Sequence, residues 1–417
     1  MKVVVACDVL GEKNNGTSMA AYNLIDSLKA KGHEVIVICN NEDKKDWENF
    51  YITKSLNLGP LNQVFKNNGV CLARPSKEDK EMIRNIIKDA DVVHCLLPFS
   101  LGINCCKIAK ELEKPVTISF HCQAENITAH LGGMFMNMKS LNNKVYKVFY
   151  KNVYQYVDAV HYPTQFIRDT FEKVVGPTNG YVISNGVNKY VRPLKADKPE
   201  EIKDKFLILS TGRLGKEKRQ GVLLRAIAQS KYNDKIQVIL AGAGPFEKRL
   251  SKYAKKHIAN MPIIKFFSRE EMINLLNYAD LYVHPAEIEL EGIACLEACV
   301  CGCVPIVSDS DRAATKNFAL DERNLFKLND SADLAKKIDY WIENEQERKK
   351  CKENYINFSK IFDQEECMDK MEQMLKDVIE LNKKNIEEKR KDEEKQAKLD
   401  AEKEAEKQMK KDSKKKK

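Results

Sequence analysis

The sequence has no long hydrophobic run. Across its 417 residues, no uninterrupted apolar stretch approaches the ~20 residues that a membrane-spanning helix requires. The amino-terminal segment MKVVVACDVL is apolar only as far as Asp8, which is too short for the hydrophobic region of a secretory signal, and it lacks a cleavage site. We therefore expect a cytoplasmic protein without a transmembrane segment.

The cysteine pattern does not fit a disulfide framework. The 13 cysteines are odd in number and are scattered among strand-like and helix-like segments, which is typical of free thiols in a reducing compartment. Cys299, Cys301 and Cys303 are close in sequence, but alternate positions around Gly302 cannot easily converge on one ion. We interpret them as core thiols and predict no metal site.

A strong excess of one charge is missing outside the carboxyl terminus. The formal net charge is +9, and residues 383–417 contribute +5 of it through 15 Lys+Arg against 10 Asp+Glu. The remainder is weak evidence for nucleic-acid binding, so we predict no nucleic-acid partner. We interpret residues 381–417 as a charged, solvated helical tail, with binding of its basic end to anionic lipid or nucleic acid as the alternative.

Strand-like and helix-like segments alternate in two successive parts of the chain. Residues 1–187 begin with the apolar strand KVVVACDV, and after a linker at 188–200 the alternation restarts with FLILSTG and continues through 201–345. This pattern predicts an α/β fold with two doubly wound parallel-sheet domains facing a cleft, in which ligands bind at the carboxyl ends of the strands. Residues 346–380 are predicted to be helices that pack back across the domains.

Two short motifs of the second part favour a diphosphate ligand. In GRLGKEK, Arg213 follows a strand and Lys218 comes five residues later, and together they offer a guanidinium fork and a point charge. In LAGAGPF, Gly242 and Gly244 permit close approach of a ligand to the backbone, although the dinucleotide pattern G-x-G-x-x-G is not met. An ordinary basic loop is the alternative, and neither motif decides the question alone.

The stretch HPAEIELEGIACLEACVCG places acids around a glycine between a strand and a helix. Helix N-termini attract phosphate through unpaired N–H groups, so carboxylates beside Gly292 should contact neutral hydroxyls instead. Glu289 in the loop and Glu297 on the helix fit the hydroxyls of a sugar and a ribose. We interpret Glu287 and Glu291 as surface acids.

With these motifs in this order, the chain resembles the nucleotide-sugar half of the family 4 glycosyltransferases. The stretch E-x-E-G-x-x-x-L-E-A, preceded by GRL-x-x-EK and GAGP, carries the resemblance, which extends over roughly residues 1–375. It implies the GT-B architecture, with two Rossmann-like domains facing a cleft, and a retaining enzyme that uses a nucleotide-diphosphate sugar. The charged tail lies outside the resemblance.

The resemblance also implies roles for individual residues. Arg213 and Lys218 match the pair that holds the donor diphosphate, and they stabilise the charge that develops when the sugar–phosphate bond breaks. Glu289 matches the acid facing the transferred sugar, and Glu297 matches the acid that binds the ribose. Because two cations already supply what Mg²⁺ would supply, we expect no metal or other cofactor.

Four further positions match the family at places where backbone or imidazole meets the donor. Gly292 and Ile293 match a helix start whose amides contact the sugar and the phosphate. Gly16 matches a glycine in the loop after the first strand that lets the backbone approach the β-phosphate. His121, at the end of PVTISFH, matches a histidine that contacts the donor sugar; for an isolated histidine, a structural role is the alternative.

Two segments depart from the family pattern. Many relatives have a flexible glycine pair after the strand PIVSDS, whereas this chain has Asp311-Arg312-Ala313-Ala314. The segment FFSREEM is shorter than the usual turn and lacks its glycine, although that region normally meets the nucleotide base. The identity of the base therefore stays open at this stage.

A basic and aromatic segment at residues 139–156 favours a membrane surface as a partner. Lysines alternate with aromatic residues in KSLNNKVYKVFYKNVYQY, and such a helix can lie on anionic headgroups through Lys144, Lys147, Phe149 and Lys151. A core helix whose lysines face water is the alternative. The segment SFHCQAENI followed by this helix is similar to the branch that contains diacylglycerol glucosyltransferases.

Three hypotheses follow from the sequence. The leading one is a peripheral-membrane enzyme that moves a hexose, glucose from UDP-glucose, onto diacylglycerol or a related lipid at the inner face of the cell membrane. The second is a soluble glycosyltransferase of capsule, cell-wall or small-molecule glycoside synthesis. The third is a non-catalytic sugar-nucleotide-binding protein. The sugar, the acceptor and the oligomeric state are not fixed by the sequence.

Overall fold

A parallel sheet forms the centre of the first domain. The computed structural model describes residues 1–11, 16–57, 72–131 and 137–415. In this part of the chain the strands are β1 (Lys2–Cys7), β2 (Glu34–Cys39), β3 (Phe50–Ile52), β4 (Val92–Cys95), β5 (Val116–Ser119), β6 (Ala159–Tyr162) and β7 (Gly180–Val182). They pair in parallel in the order β3-β2-β1-β4-β5-β6-β7. Because successive parallel strands need a crossover, helices cover both faces.

The helices of the first domain bury the central strands of the sheet. They are α1 (Gly16–Ala30), α2 (Lys77–Lys88), α3 (Ser100–Glu111), α4 (Ala124–Leu131), α5 (Lys139–Asn152) and α6 (Gln165–Val175). Val3, Val4 and Val5 of β1 have no exposed surface, so both faces of the sheet are covered. The helix starts have local causes as well: Ser76 and Asp79 form a capping box before α2.

The second domain repeats the same architecture with one strand fewer among the described residues. Its strands are β8 (Phe206–Thr211), β9 (Ile236–Ala241), β10 (Ile263–Lys265), β11 (Leu281–His284), β12 (Pro305–Asp309) and β13 (Leu325–Lys327), all parallel in the order β10-β9-β8-β11-β12-β13. Its helices are α7 (Gln220–Gln229), α8 (Glu247–His257), α9 (Arg269–Tyr278), α10 (Ile293–Val300) and α11 (Ser331–Glu343). The predicted fold class, two Rossmann-like domains, is confirmed.

The carboxyl-terminal helices connect the two domains. After α12 (Glu345–Ser359), the chain pairs with the segment that follows β7, where Val187 N donates to Phe362 O at 2.7 Å and Gln364 N donates to Val187 O at 3.2 Å. The last helix, α13 (Gln364–Lys415), then buries Met368, Met371 and Met374 in the core of the first domain. The segment predicted as a helical tail continues α13, and its side chains are almost all exposed up to residue 404.

The strand order reverses between β1 and β4 in the first sheet and between β8 and β11 in the second. At such a point neighbouring loops leave the sheet in opposite directions and open a crevice at the carboxyl ends of the strands. The motifs GRLGKEK and HPAEIELEG follow β8 and β11, so the topology brings them together.

The cysteines of the second domain agree with the expectation of core thiols. Cys299, Cys301 and Cys303 are buried in the second domain as predicted. Within the described ranges there is no group of three or more His, Cys, Asp or Glu residues that could hold a metal ion. Over the same residues, no helix combines the length and the apolar character needed to cross a bilayer.

Candidate functional site

Two loops of the second domain meet where the strand order reverses. One follows β8 and contains Arg213 and Lys218, and the other follows β11 and contains Glu289. Lys218 Nζ forms an ion pair with Glu289 Oε2, and His284 Nε2 lies 3.0 Å from the same oxygen. Two of the residues selected from sequence, Lys218 and Glu289, are therefore direct neighbours.

The carboxylate of Glu289 is charged although it is largely buried. Burial by itself favours the protonated form, but the charge of Lys218 and the hydrogen bond with His284 outweigh it and lower the pKa of Glu289 to about 2. An ionised carboxylate only accepts hydrogen bonds, so a ligand group facing Glu289 must be a donor. Hydroxyl groups meet that requirement.

The backbone between β11 and α10 requires glycine at position 292. Gly292 has a φ of 88°, and a Cβ there would lie within 3.0 Å of Thr315 Cγ2, a separation that real Cβ atoms do not show. Helix α10 begins at the next residue, Ile293, and the first amides of a helix have no intrahelical acceptor. The predicted helix start is therefore present and has a steric cause.

Glu297 lies one turn into α10 and is paired. Arg269 Nη2 donates to Glu297 Oε1 at 2.7 Å, and the side chain of Glu297 is 14% exposed. Arg269 is the first residue of α9 and belongs to the segment FFSREEM, which departs from the family pattern. No sequence motif pointed to Arg269, and its role as the partner of Glu297 appears only in the fold.

The glycines of LAGAGPF serve the contact between two strand-end loops. A Cβ at Gly242 would lie within 3.0 Å of Gly212 O, and a Cβ at Gly244 would lie within 3.0 Å of Leu214 O. Leu214 N also donates to Ala243 O at 2.9 Å. The close approach predicted for a ligand is made here to the loop that carries Arg213, so these glycines fix the course of that loop.

Two residues of the first domain were also selected from sequence. Gly16 is exposed and is the first residue of α1, rather than lying within the loop before it; residues 12–15 lie outside the described residues. His121 follows β5, and its Nε2 is buried without a hydrogen-bond partner in the described part of the chain. Burial lowers the pKa of His121 well below its usual value, so the imidazole is neutral.

Two polar residues beside these loops, Gln123 and Thr315, were not selected from sequence. Gln123 is fully buried, its Nε2 donates to Arg312 O at 3.1 Å, and Glu289 N donates to the same oxygen at 3.2 Å. Gln123 Oε1 and Thr315 Oγ1 are buried, and neither has a partner among the described residues. Buried polar atoms are normally hydrogen-bonded, so these two are candidates for contact with a ligand. The position of Gln123, two residues after His121, was the only signal in the sequence.

The interpretation of Glu287 and Glu291 as surface acids is wrong. Glu287 is buried between the guanidinium groups of Arg219 and Arg312. Glu291 is buried against the first domain, where its Oε1 accepts from Ser184 Oγ at 2.5 Å and from the backbone N–H that follows at 2.9 Å. Burial raises the pKa of Glu291 to about 7. Both acids hold the loop in place through partners that are distant in sequence.

The basic and aromatic helix α5 has two distinct faces. Lys144, Lys147 and Lys151 are exposed, as a surface role requires. Phe149 is buried in the first core and packs edge-on against Phe99, with ring centroids 6.5 Å apart. The assignment of Phe149 to a membrane surface is therefore wrong, because a ring inside the core cannot reach lipid. Most of the upstream apolar loop, at 132–136, lies outside the described residues.

Two protein families match this chain, one in each half. The family described as Glycosyltransferase Family 4 matches residues 14–189. The family described as Glycosyl transferases group 1 matches residues 191–358. Together the two matches span both domains and the loops of the candidate site.

Individual relatives and solved structures agree with these families. The chain is 24% identical over 404 residues to alpha-monoglucosyldiacylglycerol synthase of Acholeplasma laidlawii, covering 90% of this chain and 96% of the relative. It is 23% identical over 325 residues to alpha-monoglucosyldiacylglycerol synthase of Streptococcus pneumoniae, covering 74% and 71%. The structure of Anabaena Alr3699/HepE in complex with UDP and glucose superposes with a TM-score of 0.70 at 15% identity, covering 90% of this chain and 100% of that one, which shows the shared fold.

Proposed function

Because the chain belongs to the family 4 glycosyltransferases, we propose that it is a retaining hexosyltransferase that moves glucose from UDP-glucose to a lipid such as diacylglycerol at a membrane surface. The observation that carries the proposal is the pairing of Lys218 with Glu289 where the strand order reverses, beside the helix start at Gly292. Cations for a diphosphate and acids for hydroxyls thereby share one edge of the second sheet.

Donor binding exchanges one set of charge contacts for another. The diphosphate lies between Arg213 and Lys218, so that Lys218 Nζ transfers its contact from Glu289 to phosphate oxygens. Glu289 keeps His284 as a partner and accepts hydrogen bonds from sugar hydroxyls. Glu297 receives the ribose hydroxyls beside Arg269, and the amides at Gly292 and its neighbour Ile293 contact the sugar and the phosphate.

The transfer step requires no enzymic base. The bond between the anomeric carbon and the diphosphate oxygen breaks, and the two electrons remain on the leaving UDP, which Arg213 and Lys218 stabilise. The acceptor hydroxyl oxygen forms its bond to the anomeric carbon on the face that the diphosphate leaves, and its proton passes to a phosphate oxygen. The products are an α-glucoside and UDP. His121, which is neutral, contacts the sugar as a hydrogen-bonding group rather than as a charge.

A lipid acceptor is supported by two observations. The relatives from Acholeplasma laidlawii and Streptococcus pneumoniae are both named alpha-monoglucosyldiacylglycerol synthase, a name that includes a glycolipid. The exposed lysines of α5 give the first domain a cationic face, and each lysine near an anionic membrane contributes roughly 1 kcal/mol to binding. Since Phe149 is internal, the membrane contact proposed for α5 is mainly electrostatic and should weaken with salt.

A screen of donors and acceptors tests the proposal. The purified full chain is incubated with UDP-glucose, UDP-galactose or GDP-mannose, with diacylglycerol in anionic vesicles or with soluble sugars. We expect UDP release with UDP-glucose and a glucosylated lipid whose mass and α-configuration are read by mass spectrometry and NMR. A product on a soluble acceptor would support the second hypothesis instead, and no nucleotide release with any donor would support a non-catalytic protein.

A further inference from the structure

Arg312 connects the two domains at the candidate site. It lies on the turn after β12 of the second domain, and its side chain is 24% exposed. Its Nη1 donates to Asn137 Oδ1 of the first domain at 2.5 Å, and its Nη2 forms an ion pair with Glu287 of the second domain. Its carbonyl oxygen accepts from Gln123 Nε2 of the first domain. The residue therefore bridges the domains with its guanidinium group and with its backbone.

On the side of the second domain, Arg312 is joined to the acid loop, the loop after β11 that carries Glu287 and Glu289. Glu287 is buried between Arg312 and Arg219, whose Nε lies 2.6 Å from Glu287 Oε2. Glu289 N donates to Arg312 O at 3.2 Å, and Ala314 N donates to Glu289 O at 2.8 Å. One of these backbone hydrogen bonds is donated by the loop carrying Glu289 and the other by the turn at Arg312, so the two segments are held together.

The first-domain end reaches two functionally important segments. Gln123 stands two residues after His121, and its Oε1 is buried without a partner in the described residues. Asn137 stands two residues before α5, the helix with the exposed lysines. Arg312 thus ties the loop proposed to hold the donor sugar to the segment of His121 and to the start of the helix proposed to face the membrane.

We propose that Arg312 is a positioning residue that sets the closed arrangement of the two domains. It locks the acid loop of Glu289 against the first-domain segments of Gln123 and Asn137, so that the donor sugar is enclosed from both sides. The guanidinium group is needed because two of its nitrogens contact acceptors on different domains, which a single ammonium group does not reproduce. This inference rests on the proposed function for its kinetic consequence, whereas its structural consequence is independent of it.

The test compares Arg312→Met, Arg312→Lys, Asn137→Ala and the double variant Arg312→Met/Asn137→Ala with a matched control, Lys316→Met. Lys316 lies on the same stretch of chain but pairs with Asp311 and Asp309 at the surface of the second domain. For each variant we measure the kcat and KM of transfer, the Kd of UDP, and the distance between spin labels placed on exposed sites of the two domains in the presence of UDP.

We expect Arg312→Met to lower kcat about tenfold or more, equivalent to ~1.4 kcal/mol of transition-state stabilisation. The Kd of UDP should change less than twofold, because the side chains proposed to hold UDP, those of Arg213, Lys218 and Glu297, all belong to the second domain. The spin-label distances should become longer and broader. Arg312→Lys should recover part of the loss in kcat, and Lys316→Met should resemble the wild type. Asn137→Ala should show part of the same loss, and combining it with Arg312→Met should lower kcat by less than the sum of the two separate effects.

The outcomes separate this inference from the proposed function. If Arg312→Met leaves the spin-label distances equal to those of the wild type, or if its effect adds to that of Asn137→Ala, the positioning role is refuted even when transfer activity is found. If the wild type transfers no sugar but Arg312→Met still widens the distances, the proposed function fails and the positioning role stands.

Discussion

Replacement of Gly292 by alanine measures how much the stability of the protein depends on a glycine at the start of α10. The φ of 88° places an alanine in the left-handed region, which costs about 1–2 kcal/mol for a residue with a Cβ. The new Cβ would also overlap Thr315 Cγ2, and overpacking of this kind costs about 1–3 kcal/mol. We therefore expect Gly292→Ala to lower the free energy of unfolding by about 2–5 kcal/mol.

The two contributions can be separated with a second variant. Thr315→Ser removes Cγ2 and keeps Oγ1, so it relieves the overlap but not the strain in φ. In the double variant Gly292→Ala/Thr315→Ser, the overlap contribution of about 1–3 kcal/mol should return while about 1–2 kcal/mol stays lost. Thr315→Ser alone serves as the control, because a buried methyl group is worth about 1 kcal/mol by itself.

Urea unfolding followed by circular dichroism measures each free energy, and transfer kinetics measure the donor KM. We expect Gly292→Ala to raise the donor KM as well, since the amides of the helix start are displaced. If Gly292→Ala has the unfolding midpoint of the wild type, or if Thr315→Ser restores nothing, then the start of α10 is not determined by this contact.

Three further predictions concern charge. Glu297→Gln should lower kcat/KM for the nucleotide sugar about 10- to 100-fold with an unchanged circular dichroism spectrum, because a charged hydrogen-bond acceptor for hydroxyls is lost. Reversal of three exposed α5 charges should abolish co-sedimentation with anionic vesicles at low salt and leave the Kd of UDP unchanged; the residues are Lys144, Lys147 and Lys151. Burial raises the pKa of Glu291 from 4.5 to about 7, so the folded protein binds this proton more tightly than the unfolded chain, and its contribution to stability falls as pH rises from about 4.5 to 7. Glu291→Gln should remove that dependence. As the pH rises through this range, the unfolding free energy of the wild type should therefore fall by about 3 kcal/mol relative to that of the variant.

Each of these predictions has an outcome that would contradict it. For the helix, the matched control is charge reversal on α8 at the exposed Lys252, Lys255 and Lys256; equal sedimentation of both triple variants would exclude α5 as the membrane contact. For Glu291, urea unfolding at pH 5 and pH 8 should be compared, and parallel changes in the two proteins would contradict a raised pKa. For Glu297, kinetics identical to the wild type would exclude its proposed role.

The main features of the fold could be predicted because they depend on local patterns. Apolar strands such as KVVVACDV and EVIVIC alternate with helical periodicity, and parallel sheets are the usual result of that alternation. The position of the candidate site follows from the same pattern, since GRLGKEK and HPAEIELEG both come directly after strands. Glycine 292 was recognised for the same reason, although its contact with Thr315 was not.

The residues that were misjudged depend on contacts between distant parts of the chain. Glu291 is buried by Ser184 and the residue after it, which are more than 100 positions away, so no local pattern distinguishes it from a surface acid. Phe149 is a different case, since the sequence did contain a signal. Its spacing of three from Tyr146 places both rings on one face of the helix, and that face is the core.

The path of α13 also affects the order in which the protein can mature during synthesis. The hydrophobic core around β1 includes Met368, Met371, Met374 and Leu375, which are translated about 190 residues after β7. At about 5–20 residues per second, the ribosome needs roughly 10–40 s to deliver them. During that interval the amino-terminal half is complete in sequence but lacks part of its own interior, so its native state becomes available only after the other half has emerged.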